Sequence, residues 1–517
     1  MVGAVPAAIL VRSPTGFSST VTVPVVPPAR PLTRVCKRDS WGEAASTVVV
    51  IVRDAAFAVL VAWAMTWVSA AGNIFSGRAV RDQSYDEFFF ATLFWIQQFY
   101  CFTGTWMQAA TLLRRRFLSR PDTYPTLVHC FVRVARRGLV YYAVVVGVWA
   151  LLALSFSKWE PSVRIRQIKL EFYMYLVGCF VYTVGLGIIG RHIFRFETVE
   201  GVDQQQHREP TDSGPAASIA KQGGSIRTSI AEHLMLVMRF SIVRLPMMLC
   251  VQLTSMYAQV MKSQHLKVSS DIYVVTFACM ALKISVQEIA KRAMLRKNVK
   301  HVRTMFLSVA MPTVLIDTQL RVVLQRLKST QLTITGTALM AACEVAMRIV
   351  KTMLVRLECR RLDSRWKRRS SVAPLAGGRS VGVSRGQVEA IKTKLMAFHS
   401  AELFSDMLAE YIAMGCSTAA LFFYWEHPKY RLGELHALKD VDAGAVSSQN
   451  WTQHQSLLLT AQVCVEILVD MASCVVELSL GVSFHEIRRH GTYLVSLSVM
   501  LAVVNTFVTA AIYIQSD

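Results

Sequence analysis

Residues 141–157 read YYAVVVGVWALLALSFS. The stretch carries no charge, and most of its side chains are aliphatic or aromatic. A bilayer core about 30 Å thick is crossed by a helix of about 20 such residues. Extended to 138–157, the stretch reads as a membrane span. Read the same way, the chain offers ten more spans: 48–71, 87–112, 170–194, 232–260, 271–290, 304–325, 331–354, 408–425, 456–482 and 492–514. The sequence therefore predicts an all-α fold, a multi-pass integral membrane helical bundle of about eleven transmembrane helices, with nine as the lower bound. The lower bound arises because the four spans between 232 and 354 contain charge, and two of them could pair as a re-entrant hairpin.

Composition agrees with this reading. The chain has 517 residues, 53% hydrophobic and 17% charged, with a mean hydropathy of +0.38. Soluble domains carry about 25% charged residues. The net charge is +22, but the basic residues do not form the single stripe that nucleic acid would require. They sit at the ends of apolar segments, where they set orientation and meet anionic lipid headgroups. The expected partners are thus the lipid bilayer and anionic headgroups, not nucleic acid. The eleven cysteines include no C-x-x-C pair and lie mostly in apolar runs, as small buried hydrophobes do. No metal site or cofactor is expected from them.

The loops give an orientation. Lys and Arg number 30 in the connections 113–137, 191–229, 291–303, 357–395 and 484–491, against 13 in the alternate set 72–85, 158–169, 262–270, 326–330 and 426–454. The first set is expected to be cytoplasmic, which puts the N-terminus inside and the C-terminus outside. The lone N-x-S/T sequon, at Asn450, falls in the outer set and makes that residue a candidate glycosylation site. A plasma or endomembrane location is expected over a mitochondrial one.

Polar stretches divide the chain into a Pro/Val/Ser-rich tail (1–47) with a disordered composition, a four-span block (48–195), a polar linker (196–229), a charge-bearing four-span block (230–356), a basic Ser/Gly/Arg linker (357–395) and a three-span block (396–517). Ser370, Ser371 and Ser380 lie beside arginines, which makes them candidate phosphorylation sites on that basic linker.

Few motifs carry chemistry. Gly185, Gly187 and Gly190 match G-x-G-x-x-G, yet they sit late in a membrane span with no strand before them. Close helix packing is the physical reading, not a dinucleotide site. His485 and His490 flank Arg488 and Arg489 in a short connection and read as interfacial side chains. No catalytic signature is present, and the chain is not expected to be an enzyme.

The unusual feature is CVEILVDMASCVVELS (464–479). Relative to Glu466, Asp470 lies about 40° and Glu477 about 20° around a helix, and Ser473 about 20° the other way, so all share one face. A charge facing lipid at mid-bilayer costs at least about 2.5–3.5 kcal/mol, so this face must meet protein or water. Arg244, Lys283, Asp317, Glu344 and Asp470 fall at similar depth, with Arg348 one turn beyond Glu344. Gln97 and Gln98 are further candidates for the layer. These residues either neutralise one another as structural pairs or line a route for an ion, proton or small polar solute. Charge balance points to the first and the number of participating helices to the second. A transporter or channel is the leading expectation, and a membrane scaffold or receptor with basic cytoplasmic linkers is the alternative. A second acidic stripe, Glu402, Asp406 and Glu410, reads as an amphipathic lead-in helix at the cytoplasmic surface, its acids turned to water or to the basic linker.

Overall fold

The computed structural model of the chain describes residues 37–158, 170–206, 269–296, 302–325, 330–372, 385–425, 427–430, 448–488 and 490–514, together with Met235, Met238, Gln252 and Met256. Among the described residues the regular structure is helical: α1 (Lys37–Ala70), α2 (Tyr85–Ala110), α3 (Leu127–Lys158), α4 (Leu170–Glu197), α5 (Val199–Gln206), α6 (Ser269–Arg296), α7 (Val302–Gln325), α8 (Thr330–Val372), α9 (Arg385–Tyr424), α10 (Ser448–Ser479), α11 (His485–Arg488) and α12 (Gly491–Tyr513). Every expected span except 232–260, of which the structure describes only Met235, Met238, Gln252 and Met256, overlaps one of these helices over most of its length. Six of them, α1, α3, α4, α9, α10 and α12, contain a segment long and apolar enough to cross a membrane.

Local chemistry sets the helix ends. Ser84 caps α2 by accepting from the Glu87 amide at 3.1 Å, and Asp86 and Glu87 fill the first turn, where acids meet the positive end of the helix dipole. Gly481, with φ of 86°, ends α10: its amide donates to the Leu478 carbonyl and the Val482 amide to the Glu477 carbonyl. This left-handed closure is open to glycine at little cost.

Helices α9 and α12 form the centre. α1 and α7 pack along both, α8 and α10 flank α9, and α6 closes the side beside α7 and α8. A second group, α2, α3 and α4, attaches through α2 to α12 and α1. The glycines of 185–190 do serve close approach. A Cβ on Gly185 would lie 2.7 Å from the Tyr141 ring of α3, and one on Gly190 would lie 1.8 Å from the Gln108 amide of α2. On the perimeter α1, α3 and α10 expose Phe57, Leu60, Trp67, Val140, Val144, Leu151, Val465 and Leu468. Apolar surface of this extent suits lipid rather than water.

Two rims collect the helix ends. At one, the Leu118 amide donates to the Glu197 carbonyl, Arg488 donates to Ser46, and Arg356 holds the Leu480 carbonyl. At the other, His427 bonds the Ala70 carbonyl, and Tyr430 bridges to Ile514. Helices α8 and α9, with 43 and 40 residues, run about 60 Å each and outreach a bilayer core. Their extensions touch through Lys392 and Asp363, and Arg385 lies over the Trp366 ring at 5.8 Å. The first part of the basic linker, up to Val372, is therefore helix continuing from α8. Ser370 and Ser371 lie in its last turn.

Candidate functional site

Five helices each turn one polar face inward. Positions three or four apart share a helix face, and the faces follow that rule: Lys283 and Gln287 on α6, Thr313, Asp317 and Arg321 on α7, Glu344, Arg348 and Lys351 on α8, His399, Glu402, Asp406 and Glu410 on α9, and Gln462, Glu466, Asp470, Ser473 and Glu477 on α10. All are buried except Lys351, whose ammonium reaches in from a half-buried stem.

Ion pairs knit these faces together. Lys283 Nζ lies 2.8 Å from Asp317, 3.3 Å from Glu344 and 3.9 Å from Glu410. Arg348 binds Glu410 at 3.0 Å and Asp470 at 2.5 Å. Lys351 lies 3.0 Å from Glu402 and 3.3 Å from Asp406. Arg321 stands off Glu466 at 4.0 Å. Gln287 donates to Thr313 and to Asp406, and accepts from Lys351 at 2.7 Å. Thr352 pairs with His399 Nε2 at 3.0 Å. Each pair offsets a desolvation cost of several kcal/mol per ion.

The charges do not balance. Asp317, Glu344, Glu402, Asp406, Glu410, Glu466, Asp470 and Glu477 are eight carboxylates, and Lys283, Arg321, Arg348 and Lys351 are four cations, among the described residues. Adding both arginines of 232–260 would leave carboxylates in the majority. The surplus is densest where Glu344, Glu410 and Glu466 each bring an oxygen within 4.8 Å of the others. Several acceptors have no hydrogen-bond partner: Asp317 Oδ1, Glu344 Oε2, Glu466 Oε1, Asp470 Oδ2 and both oxygens of Glu477. Beside the trio is a small cavity of about 20 Å³, lined by Lys283, Gln287, Glu344, Arg348, Asp406 and Glu410 among others. It has room for about one water or a small ion, and none for an organic solute.

Three like charges this close cannot all persist in a buried site without a counter-ion or a proton. Oxygen donors of this kind suit hard cations and protons. The layer therefore has the donor chemistry of a proton or hard-cation site.

Lys283, Asp317, Glu344, Arg348, Glu466 and Asp470 meet in one layer in the structure, whereas Arg244 lies outside the described residues. The acidic stripe on α9 is the main correction. Glu402, Asp406 and Glu410 face the bundle interior and hold Lys351, Lys283 and Arg348, so they are not a surface lead-in. Their spacing fits a water-facing stripe as well as a protein-facing one. Arg321, Gln287, Lys351 and His399 were also missed, although Arg321 follows Asp317 at i+4. Gln98 belongs elsewhere, since it pairs with Tyr142 between α2 and α3. Asn450 lies in the first turn of α10 rather than in a loop, and Ser380 is outside the described residues. His485 is exposed beside the rim.

Comparison of the chain with family models, with curated proteins and with solved structures finds no match.

Proposed function

We propose that this chain is a multi-pass membrane transporter or channel that passes a small cation through the carboxylate-rich layer between α6, α7, α8, α9 and α10. The observation that carries the reading is the surplus of buried carboxylates, eight against four cations among the described residues. A purely structural network gains nothing from acids that no cation offsets, because each buried unpaired charge is costly. A route for cations needs such a surplus, since it must offer a site that the traveller itself neutralises. The reading includes about eleven spans, a cytoplasmic N-terminus, an outer C-terminus and basic inner loops against anionic headgroups. The rim contacts support it: segments that loop charge assigns to one side meet at one rim.

The test is ion flux in liposomes holding the purified chain. A potential or a gradient of protons, sodium, potassium, magnesium or calcium is imposed, and uptake is read with and without Glu410→Gln. Flux that the substitution removes from a folded protein supports the reading. Absence of flux for every one of these ions defeats it. The second reading, a scaffold, is favoured by one feature: the α8–α9 extension carries exposed Arg360, Arg361, Arg365 and Lys367 outside the membrane block.

A further inference from the structure

Among the described residues, polar atoms left without a partner are not scattered on α10. Gln462, Glu466, Asp470, Ser473 and Glu477 each keep at least one such atom: Oε1, Oε1, Oδ2, Oγ and both carboxylate oxygens, in that order. Each of the five side chains is more than nine-tenths buried. On a helix they fall within a sector of about 80° and span a rise of about 22 Å, most of a bilayer core of about 30 Å. Native interiors leave few buried polar atoms unsatisfied, and buried waters normally serve those that remain. Five in file on one face form a continuous polar track.

We propose that this face of α10 is a hydrated proton track, with Glu466 and Glu410 sharing its exchangeable proton. The inference rests on the cation-conducting reading and names the ion and its route. The choice of a proton over a metal ion follows from the neighbours. Lys283 Nζ already stands 3.3 Å from Glu344 and 3.9 Å from Glu410, and Arg348 stands 3.0 Å from Glu410. A divalent ion set among these carboxylates would sit against both cations, whereas a proton on one carboxyl oxygen would not. Among the described residues Glu466 is the least well paired of the trio, its nearest cation there being Arg321 at 4.0 Å.

The groups around the track come from every packed neighbour. α7 supplies Arg321. α8 supplies Glu344 and Arg348, and Arg348 holds Asp470. α9 supplies Glu410, Asp406 and Tyr411, the last beside Asp470. α1 carries Asp54, already held by Arg53 at 2.7 Å.

The step balances simply. Glu466 as the acid donates its O–H to a Glu410 oxygen. On release, that O–H bond breaks, a water oxygen takes the proton as hydronium, and the carboxylate left behind faces Arg321. Along the track each hop breaks one O–H bond and forms the next, with Ser473 and Gln462 ordering water between the acids.

Two measurements test this. First, Ser473→Cys is made in a background where Cys464 and Cys474 are alanine and is treated with a charged, water-soluble thiol reagent. Val465→Cys is the comparison, because Val465 is exposed on the perimeter of α10, away from the polar face and from the apolar groove between α8 and α10 that Ser473 borders. Ser473→Cys should react faster, on the order of tenfold, since a charged reagent is excluded from hydrocarbon. Second, liposomes with a pH dye inside are given a potassium-valinomycin potential. Glu466→Gln should lower proton uptake on the order of a hundredfold and remove an infrared carbonyl band of a protonated carboxylic acid. Sodium or potassium flux that Glu410→Gln abolishes, with Ser473→Cys inert and proton uptake unchanged in Glu466→Gln, overturns the track and leaves the cation reading intact. No flux of any ion overturns both. If Glu466→Gln fails to fold, the labelling ratio at Ser473 decides on its own.

Discussion

Asp470 shows how far a single residue could be read. Its carboxylate lies in an apolar run, so the sequence requires a buried partner and offers Arg244 or Arg348. The structure seats Arg348 there at 2.5 Å, and the same guanidinium also holds Glu410 at 3.0 Å. That second bond was hidden, because Glu410 looked like part of a surface stripe. It changes the expected energetics. Arg348→Met strands two buried carboxylates and should cost about 3–5 kcal/mol of unfolding free energy in detergent. Adding Asp470→Asn should recover only part of the loss, and adding Glu410→Gln as well should recover most of it. A double variant as stable as the wild type would show that Arg348 does not serve both acids. His427 gives a second residue-scale expectation, outside the membrane-spanning segments. Burial lowers its pKa from 6.5, although the Ala70 carbonyl bond opposes the shift. Its Nε2 bonds that carbonyl at 2.7 Å while Nδ1 accepts from the Lys429 amide, a pairing that assigns the neutral Nε2–H tautomer. The unfolded chain therefore binds the proton more readily, and stability should fall as pH drops below 6.5 toward the folded-state value. Melting temperatures of the wild type and His427→Gln, followed through that range, should diverge as the wild type alone loses this contribution.

Among the elements, α9 was the least legible. Hydropathy alone started the span at 408, because His399, Glu402 and Asp406 depress the average before it. The helix in fact enters the bundle upstream of that point, and every residue from Phe398 to Leu421 is buried. Periodicity reports which residues share a face, and only packing decides what that face meets. By contrast α12 was legible nearly whole and the apolar parts of α1, α3 and α10 were legible, because apolar length is the property that lipid selects, while the polar first turns of those three helices, including 37–47 of the tail, were not. Packing on α9 also depends on one small residue. A Cβ at Gly415 would lie 2.4 Å from both methyl carbons of Val59 on α1, and Trp63 Nε1 donates to the Gly415 carbonyl at 3.0 Å. Gly415→Ala should push α1 off α9 and cost about 1–3 kcal/mol. Gly147→Ala, at a site with nothing within 4 Å, should be neutral or should stabilise by up to about 1 kcal/mol. Thermal unfolding of the two variants side by side checks the contrast, and equal melting temperatures would show that the α1–α9 approach is not tight.

For the whole molecule the open quantity is sidedness, and two independent features bear on it. Loop charge separates the connections 30 to 13 in Lys and Arg, which favours the richer set inside. The rims then group helix ends without reference to charge. Arg356 of α8 reaches the end of α10 at Leu480, and Arg488 reaches Ser46 near the start of α1. The loop after α9 reaches Ala70, at the opposite end of α1. A bundle threaded with α9 reversed could not make the last contact while keeping the first two. Single cysteines at Arg120 and Arg365, both exposed, should therefore react with an impermeant reagent only after the membrane is opened. Cysteines at Ala79 and Gly444 should react from outside in intact cells. Arg365 is the informative position, since it lies on the α8 extension beside the Lys392–Asp363 contact and reports the α8–α9 turn directly. Labelling of Ala79 and Arg365 from the same side would break the threading. It would also move Glu477 from the inner to the outer mouth of the α10 track and reverse the direction in which a proton gradient loads Glu466.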